Sequence, residues 1–336
     1  MGLVYVVLAL SLARSQGPNP TNWLATTDHE VLVSNEIEYI DLTKFLDRYG
    51  LASTWIEPDK RLRFSSAWTA IEFEVDSREI VYNGLRVFLG EGVMMREGRV
   101  LIGRIDAEKL LAPLLKPATF VSTIRPIKTI VIDPGHGGKD GGTTNTKLKI
   151  LEKTVSLDVS KRLGEILRTQ GFEVILTRTE DVYLTLAERA EFGRAAKADL
   201  FISVHFNAAG KSSVVGVETY AMTPQFQRST SSAKSDASDR VFEPGNAYDA
   251  WNSILGFSMH RALLQKLKPS DRGFKQARFA VLRLAECPSV LVEAGYLSNA
   301  EEARKIATES YRAQIAEGLA NGITAYVNQI AALQSR

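Results

Sequence analysis

Apolar and polar positions follow two rhythms along this chain. Between residues 30 and 115 the period is short. Thr54-Trp55-Ile56 and Arg61-Leu62-Arg63-Phe64 flank the turn sequence Glu57-Pro58-Asp59-Lys60, and Ile71 to Val75 alternates apolar and charged, as a half-buried strand does. Ile80-Val81-Tyr82 and Leu85-Arg86-Val87 flank Asn83-Gly84, a strong two-residue hairpin signal. Two strand-like runs, Ile37 to Ile40 and Val100 to Ile105, each lead toward a helix start. Asp41 precedes Leu42, Phe45 and Leu46, and Asp106 precedes Leu110 and Leu111. Residues 30–115 are therefore expected to form a small α+β domain.

From residue 128 the period lengthens and strand signals alternate with helix signals, the pattern of a layered α/β domain over 128–331. Ile130-Val131-Ile132 is a short buried-strand run. Val155, Val159, Leu163 and Leu167 recur every four residues and mark the buried face of a helix from Glu152 to about Thr169. Phe172 to Leu176, Leu200 to Val204, Gly216 to Tyr220, Phe279 to Leu284 and Ser289 to Val292 read as strands. Thr185-Leu-Ala-Glu188 is a capping box, and Asn299-Ala-Glu-Glu302 caps another helix. Asp249 opens a helix with the face Leu255, Met259, Leu263 and Leu267. A last helix carries Tyr311, Ile315, Leu319, Ile323 and Val327. Residues 116–127, with two prolines nearby, are expected as a linker. Thr223 to Tyr248 is long, polar and Ser-rich, and is expected as a mobile rim or lid over a groove, or else as a disordered surface loop.

Residues 2–13 are almost wholly apolar but too short to span a bilayer; with Ala13-Arg14-Ser15 they fit a signal peptide over 1–15, followed by a polar tether over 16–29. This start favours export, so an extracytoplasmic protein, periplasmic or wall-associated, is expected; nothing later resembles a membrane span. The 336 residues are 45% hydrophobic and 24% charged, long enough for two domains with cores. A net charge of +2 gives no basic field for nucleic acid. The single cysteine, Cys287, excludes an internal disulfide and a multi-cysteine zinc site, and its place before Pro288 and a strand reads as packing.

Chemistry concentrates at strand ends. Asp133-Pro134-Gly135 stops the first strand of the second domain and puts His136 on a loop at its carboxyl end, the edge where open α/β sheets bind ligands. His205 and Glu293 each directly follow a buried strand. If those strands are parallel, all three side chains share one edge, and Glu152, opening a helix just after the first loop, can face it. Two histidines and a carboxylate are the ligand count of a catalytic zinc, and a second carboxylate suits a general base and acid. Other readings stay open: the Gly-rich loop could cradle a phosphate, His205 could be a satisfied core histidine, and Glu293 a structural ion pair. His29 reads as a solvated surface residue and His260, beside an apolar helix face, as surface or packing.

Four segments carry a resemblance: Val131-Ile-Asp-Pro-Gly-His-Gly-Gly138, Leu151-Glu-Lys-Thr-Val-Ser-Leu157, Ile202-Ser-Val-His-Phe-Asn-Ala208 and Val290-Leu-Val-Glu-Ala-Gly-Tyr-Leu-Ser-Asn299, with Arg272-Gly273 and Val281-Leu-Arg283 in support. The second domain resembles the zinc-dependent N-acetylmuramoyl-L-alanine amidases of the Amidase_3 family. The resemblance implies zinc bound by His136, Glu152 and His205, with Glu293 as the catalytic carboxylate. It also implies a twisted, mostly parallel sheet of about six strands flanked by helices, with peptidoglycan as substrate, and it leaves the presence of a protein activator open. The order of elements in the first domain resembles the copper-amine-oxidase N-terminal-like domain, which implies wall binding or spacing. Two competing readings remain: a zinc peptidase acting on peptidoglycan cross-links, and a catalytically silent wall-binding protein.

Overall fold

A computed structural model describes residues 32–34 and 36–335. The expected signal peptide, the 16–29 tether and His29 lie outside the described residues.

The chain begins with β1 (Leu32–Ser34), β2 (Ile37–Asp41) and α1 (Leu42–Asp47), where the Asp41 carboxylate caps the helix by accepting from the Lys44 backbone N–H at 3.0 Å. An antiparallel meander follows: β3 (Ala52–Glu57), β4 (Arg61–Ser65), β5 (Ala70–Glu74), β6 (Glu79–Tyr82) and β7 (Leu85–Phe88). Asn83 and Gly84 join β6 to β7 with φ of 48° and 80°, the left-handed values a type I′ turn needs. β8 (Met94–Arg96) and β9 (Arg99–Gly103) complete a small sheet in the order β1-β2-β9-β8.

Next come α2 (Arg104–Asp106), a π-helical turn (Ala107–Leu111) and α3 (Ala112–Leu115). Gly103, not Asp106, holds the N-cap position. Asp106 is buried and accepts from the backbone N–H of Gly90 (2.7 Å) and Glu91 (3.1 Å) and from Gln227 Nε2 (2.5 Å). Tertiary donors have taken the carboxylate that was expected to cap a helix. Pro117–Thr123, within the expected linker, is a 3₁₀ segment that buries Phe120.

The rest of the chain runs β10 (Thr129–Pro134), the ribbon β11 (Thr144–Asn145) and β12 (Ile150–Leu151), α4 (Glu152–Thr169), β13 (Glu173–Leu176), α5 (Leu186–Ala195), β14 (Leu200–Asn207) and β15 (Val217–Met222). After two 3₁₀ turns come α6 (Asp249–Leu267), β16 (Asp271–Ala277), α7 (Ala280–Arg283), β17 (Ser289–Tyr296), α8 (Ala300–Ala307) and α9 (Glu309–Gln334). Apart from the β11–β12 ribbon, these strands join the meander in one large mixed sheet in the order β13-β10-β14-β17-β15-β16-β7-β6-β5-β4-β3. β13, β10, β14 and β17 are mutually parallel, and β15 runs antiparallel to β17. The sheet is eleven strands wide because the meander continues it, through a parallel contact of β16 with β7 at Phe274 and Val87.

Side chains alternate across the central strands, so each strand feeds two cores. Ile130, Ile132, Ile202, Val204, Val290 and Val292 pack under α4, α6 and α9, while Val131, Phe201 and Leu291 face Val281, Leu282 and Cys287 on the other side. Cys287 is buried, as its packing role requires, and burial pushes its thiol up to about 12. His260 is fully buried rather than at the surface, bonded to Thr219 and to Asp271 (2.9 Å).

Residues 279–284, expected as a strand, contain the short helix α7; the neighbouring strand is 271–277. Val281 and Leu282 enter the core in a single helical turn, and so short an apolar run carries no distinguishing period. The 223–248 stretch is anchored rather than lid-like. It contains 3₁₀ turns at Ala237–Arg240 and Pro244–Tyr248, buries Gln227, Asp239 and Asn246, and pairs Arg228 with Glu91 at 2.9 Å.

Candidate active site

Parallel pairing of β10, β14 and β17 brings their carboxyl ends to one edge, which opens into a cleft of ≈ 770 Å³. His136, Glu152, His205 and Glu293 all line it. His205 and Glu293 do not follow their strands but lie inside them, directly opposite each other in the β14–β17 register, because pairing continues past a bulge to Asn207 and Tyr296. No residue of 223–248 borders the cleft; Tyr183, Leu184 and Leu186 form one wall and Phe279, Ala280 and Val281 another.

His136 sits just beyond β10 with φ of 60°, a left-handed conformation that costs a non-glycine residue on the order of 1–2 kcal/mol and must be enforced by its surroundings. Its Nδ1 meets Asp140 Oδ2 at 2.8 Å, which leaves Nε2 3.1 Å from Glu152 Oε1. The same carboxylate oxygen lies 3.0 Å from His205 Nδ1 and accepts from the Phe206 backbone N–H at 3.0 Å, while Oε2 accepts from Thr143 N–H at 2.8 Å. One donor atom each of His136, Glu152 and His205 lies within 4.8 Å of the others. The two imidazoles meet edge to face with centroids 4.9 Å apart.

Burial alone would raise the pKa of Glu152, but hydrogen bonds and charge from both histidines hold it far below the usual carboxylate range. Burial pulls His136 down, and Glu152 and Asp140 outweigh that and raise it. Glu293 is the opposite case. Burial, reinforced by the negative charges of Glu152 and Glu218, pushes it well above the carboxylate range, and its buried Oε2 has no hydrogen-bond partner. Two imidazoles and an ionised carboxylate, converging beside an orphaned carboxyl oxygen, fit a divalent metal with a neighbouring proton acceptor.

Behind these residues stand supports whose role no local signal in the sequence gives. Asp140 fixes the orientation of His136. Asp133, fully buried, accepts from Thr177 (2.6 Å), Ser203 (2.8 Å) and Arg189 (2.8 Å). Glu218, opposite Glu293 on β15, accepts from Arg272, Lys275 and Tyr296 at 2.7–2.8 Å, from Tyr220 at 2.5 Å and from Asn207 at 3.2 Å. Arg178 carried one available signal: it follows β13 at the same carboxyl edge that marks His205 and Glu293.

Known proteins are similar to this chain in sequence and fold. The profile of the Amidase_3 family, N-acetylmuramoyl-L-alanine amidase, matches residues 130–325. The chain is 34% identical to the uncharacterized protein YqiI of Bacillus subtilis (strain 168), over 65% of this chain and 94% of that protein. It is 33% identical to the N-acetylmuramoyl-L-alanine amidase AmiC of Escherichia coli O6:H1, over 63% of this chain but only about half (55%) of AmiC. The solved catalytic domain of the amidase CwlV from Bacillus (Paenibacillus) polymyxa var. colistinus superposes with a TM-score of 0.51 at 32% identity, covering 60% of this chain and 99% of that domain. With the family profile spanning more than half of its length and all four cleft residues inside the match, this chain belongs to the Amidase_3 family of N-acetylmuramoyl-L-alanine amidases.

Proposed function

We propose that the protein hydrolyses the amide between N-acetylmuramic acid and the L-alanine of the stem peptide, acting outside the cytoplasm on peptidoglycan, with zinc held by His136, Glu152 and His205. The observation that carries this reading is the convergence of those three donors within 4.8 Å on the cleft that Glu293 also lines. The donor set suits zinc, which takes nitrogen and oxygen ligands and keeps a position open in catalytic sites. Bound there, zinc supplies Lewis acidity, polarising the scissile carbonyl and bringing the pKa of water to about 7.

The chain's own residues account for the proton. Glu293 takes one proton from the attacking water at its carboxylate. As oxygen bonds to the lactyl carbonyl carbon and the C–N bond breaks, Glu293 returns that proton to the departing nitrogen of L-alanine. The products are a free lactyl carboxyl on the glycan and a stem peptide with a free L-alanine amino group. The walls suit an amphipathic glycopeptide, since exposed Tyr183, Leu186 and Phe279 present apolar surface beside the polar floor. The first domain serves wall binding or spacing in this reading.

Digestion of purified peptidoglycan by the full chain tests the proposal, with products read by mass spectrometry for native, chelated, zinc-restored and Glu293→Gln protein. Zinc-dependent release of intact stem peptides beginning at L-alanine is expected, and Glu293→Gln should lose about 10²–10⁴-fold in kcat while keeping its metal. Cuts inside the peptide would move the assignment to a peptidase.

A further inference from the structure

We propose that Arg178 and Arg189 are positioning residues that set the separation of the three metal donors, an inference that rests on the reading of His136, Glu152 and His205 as a metal site. Both arginines are only 3% exposed, and both spend their fork of donors on the backbone around His136. Arg178 Nε donates to Pro134 O (3.0 Å), and its Nη2 donates to Gly135 O (2.7 Å) and to Lys153 O (2.8 Å). One nitrogen therefore ties the residue before His136 to the residue after Glu152. Arg189 Nη2 donates to His136 O (2.6 Å), and its Nη1 donates to Pro134 O and Asp133 Oδ1 (both 2.8 Å). Asp133 Oδ2 in turn accepts from Ser203 Oγ at 2.8 Å, two residues before His205 on β14. The paths close on all three donors: Arg178 joins the His136 loop to the start of α4, and Arg189 with Asp133 joins it to β14.

The chemistry of Arg178 argues that this bracing is specific. Its five hydrogen bonds go to four carbonyl oxygens and one hydroxyl, with no carboxylate among them. A buried cation without an ion-pair partner is expensive. Only the rigid guanidinium fork reaches several carbonyls at once; a lysine keeps the charge but acts as a point donor. The geometry of the fork, rather than its charge, ties the backbone before His136 to the start of α4, while Arg189 holds the His136 carbonyl.

Zinc affinity measured by competition against a chromophoric chelator tests this, on the full chain and on Arg178→Lys, Arg189→Lys and the milder Ser203→Ala. Melting of the metal-free proteins reports folding, and Arg278→Lys, at a part-buried arginine paired with Asp239 outside the cleft, is the control. The expected result is zinc bound by the parent, affinity about 10–100-fold weaker in both lysine variants, several-fold weaker in Ser203→Ala, and unchanged in Arg278→Lys whatever its melting temperature. Folded lysine and serine variants that bind zinc within two-fold of the parent would overturn the inference. A parent that binds no zinc would overturn the metal-site reading beneath it.

Discussion

At the scale of single residues, the site is built on three carboxylates held in different states. Glu152 has two imidazoles and two backbone N–H groups around it and stays ionised. Glu293 has an oxygen with no partner and two negative neighbours. Glu218 lies between these extremes. Burial would raise it, but Lys275, Tyr220 and Tyr296 bring it from 4.5 down to about 2. A depressed carboxylate contributes stability that is complete above its unfolded pKa and is lost as the pH falls through the folded value. The unfolding free energy of the parent should therefore fall more steeply from about pH 4.5 toward pH 2 than that of Glu218→Gln, as read from denaturant midpoints. Parallel curves for the two proteins would show that Glu218 carries no such charge-dependent stability.

At the scale of elements, the shared edge was legible because buried apolar runs mark β10, β14 and β17. The strand ends were not: Asp133 and Pro134, expected to stop β10, pair with Ser203 and Val204 inside the ladder, and His205 pairs with Glu293 inside theirs. Close backbone approach is demanding. At Gly142, φ is 63°, and an added Cβ would lie 2.6 Å from both Glu152 Oε2 and His136 Cδ2. Gly142→Ala should fold with a modest loss of stability yet weaken zinc at least ten-fold, checked by metal content after gel filtration. Full zinc occupancy would show that the loop can yield. The Thr185–Glu188 capping box, the Asn299 cap and the Asn83-Gly84 turn were legible in sequence because each is a local device. What stayed hidden depends on distant partners. β16 reads as polar, Asp-Arg-Gly-Phe-Lys-Gln-Ala, because Arg272 and Lys275 neutralise Glu218 from β15 while Phe274 packs into the first domain. Asp106 looked like a cap because nothing local reveals Gly90, Glu91 and Gln227 around it. Nothing local marks the role of Arg178 and Arg189 either, since their partners lie on β10, the His136 loop and α4.

At the scale of the whole molecule, the first domain and the catalytic fold share both a sheet and a core. Phe257 and Phe274 pack among Ile71, Ile80, Tyr82 and Val87, and Tyr82 meets Phe257 edge to face at 5.1 Å. Polar ties run alongside: Arg86 donates to Asp271 through its backbone (2.9 Å), Arg78 donates to the carbonyls of Ser229, Thr230 and Ser232, and Gln227 donates to Asp106. The 223–248 stretch thus works as a brace between the two parts, which is why it does not border the cleft. Separation of the parts would bare apolar surface and the β16 edge. Calorimetry of the full chain should accordingly give one cooperative transition whose calorimetric and van't Hoff enthalpies agree. Two resolved transitions would mean that the meander and the catalytic fold unfold independently.

The proposed reaction requires His136, Glu152 and His205 to hold one zinc ion beside Glu293. X-ray absorption at the zinc edge, on the purified full chain, tests it most directly. One zinc per chain with two imidazole nitrogens and a carboxylate oxygen is the predicted result, lost in Glu152→Ala and unaltered in Glu293→Gln. A folded chain that takes up no zinc, or a zinc shell without imidazole, would rule out a zinc site at His136, Glu152 and His205.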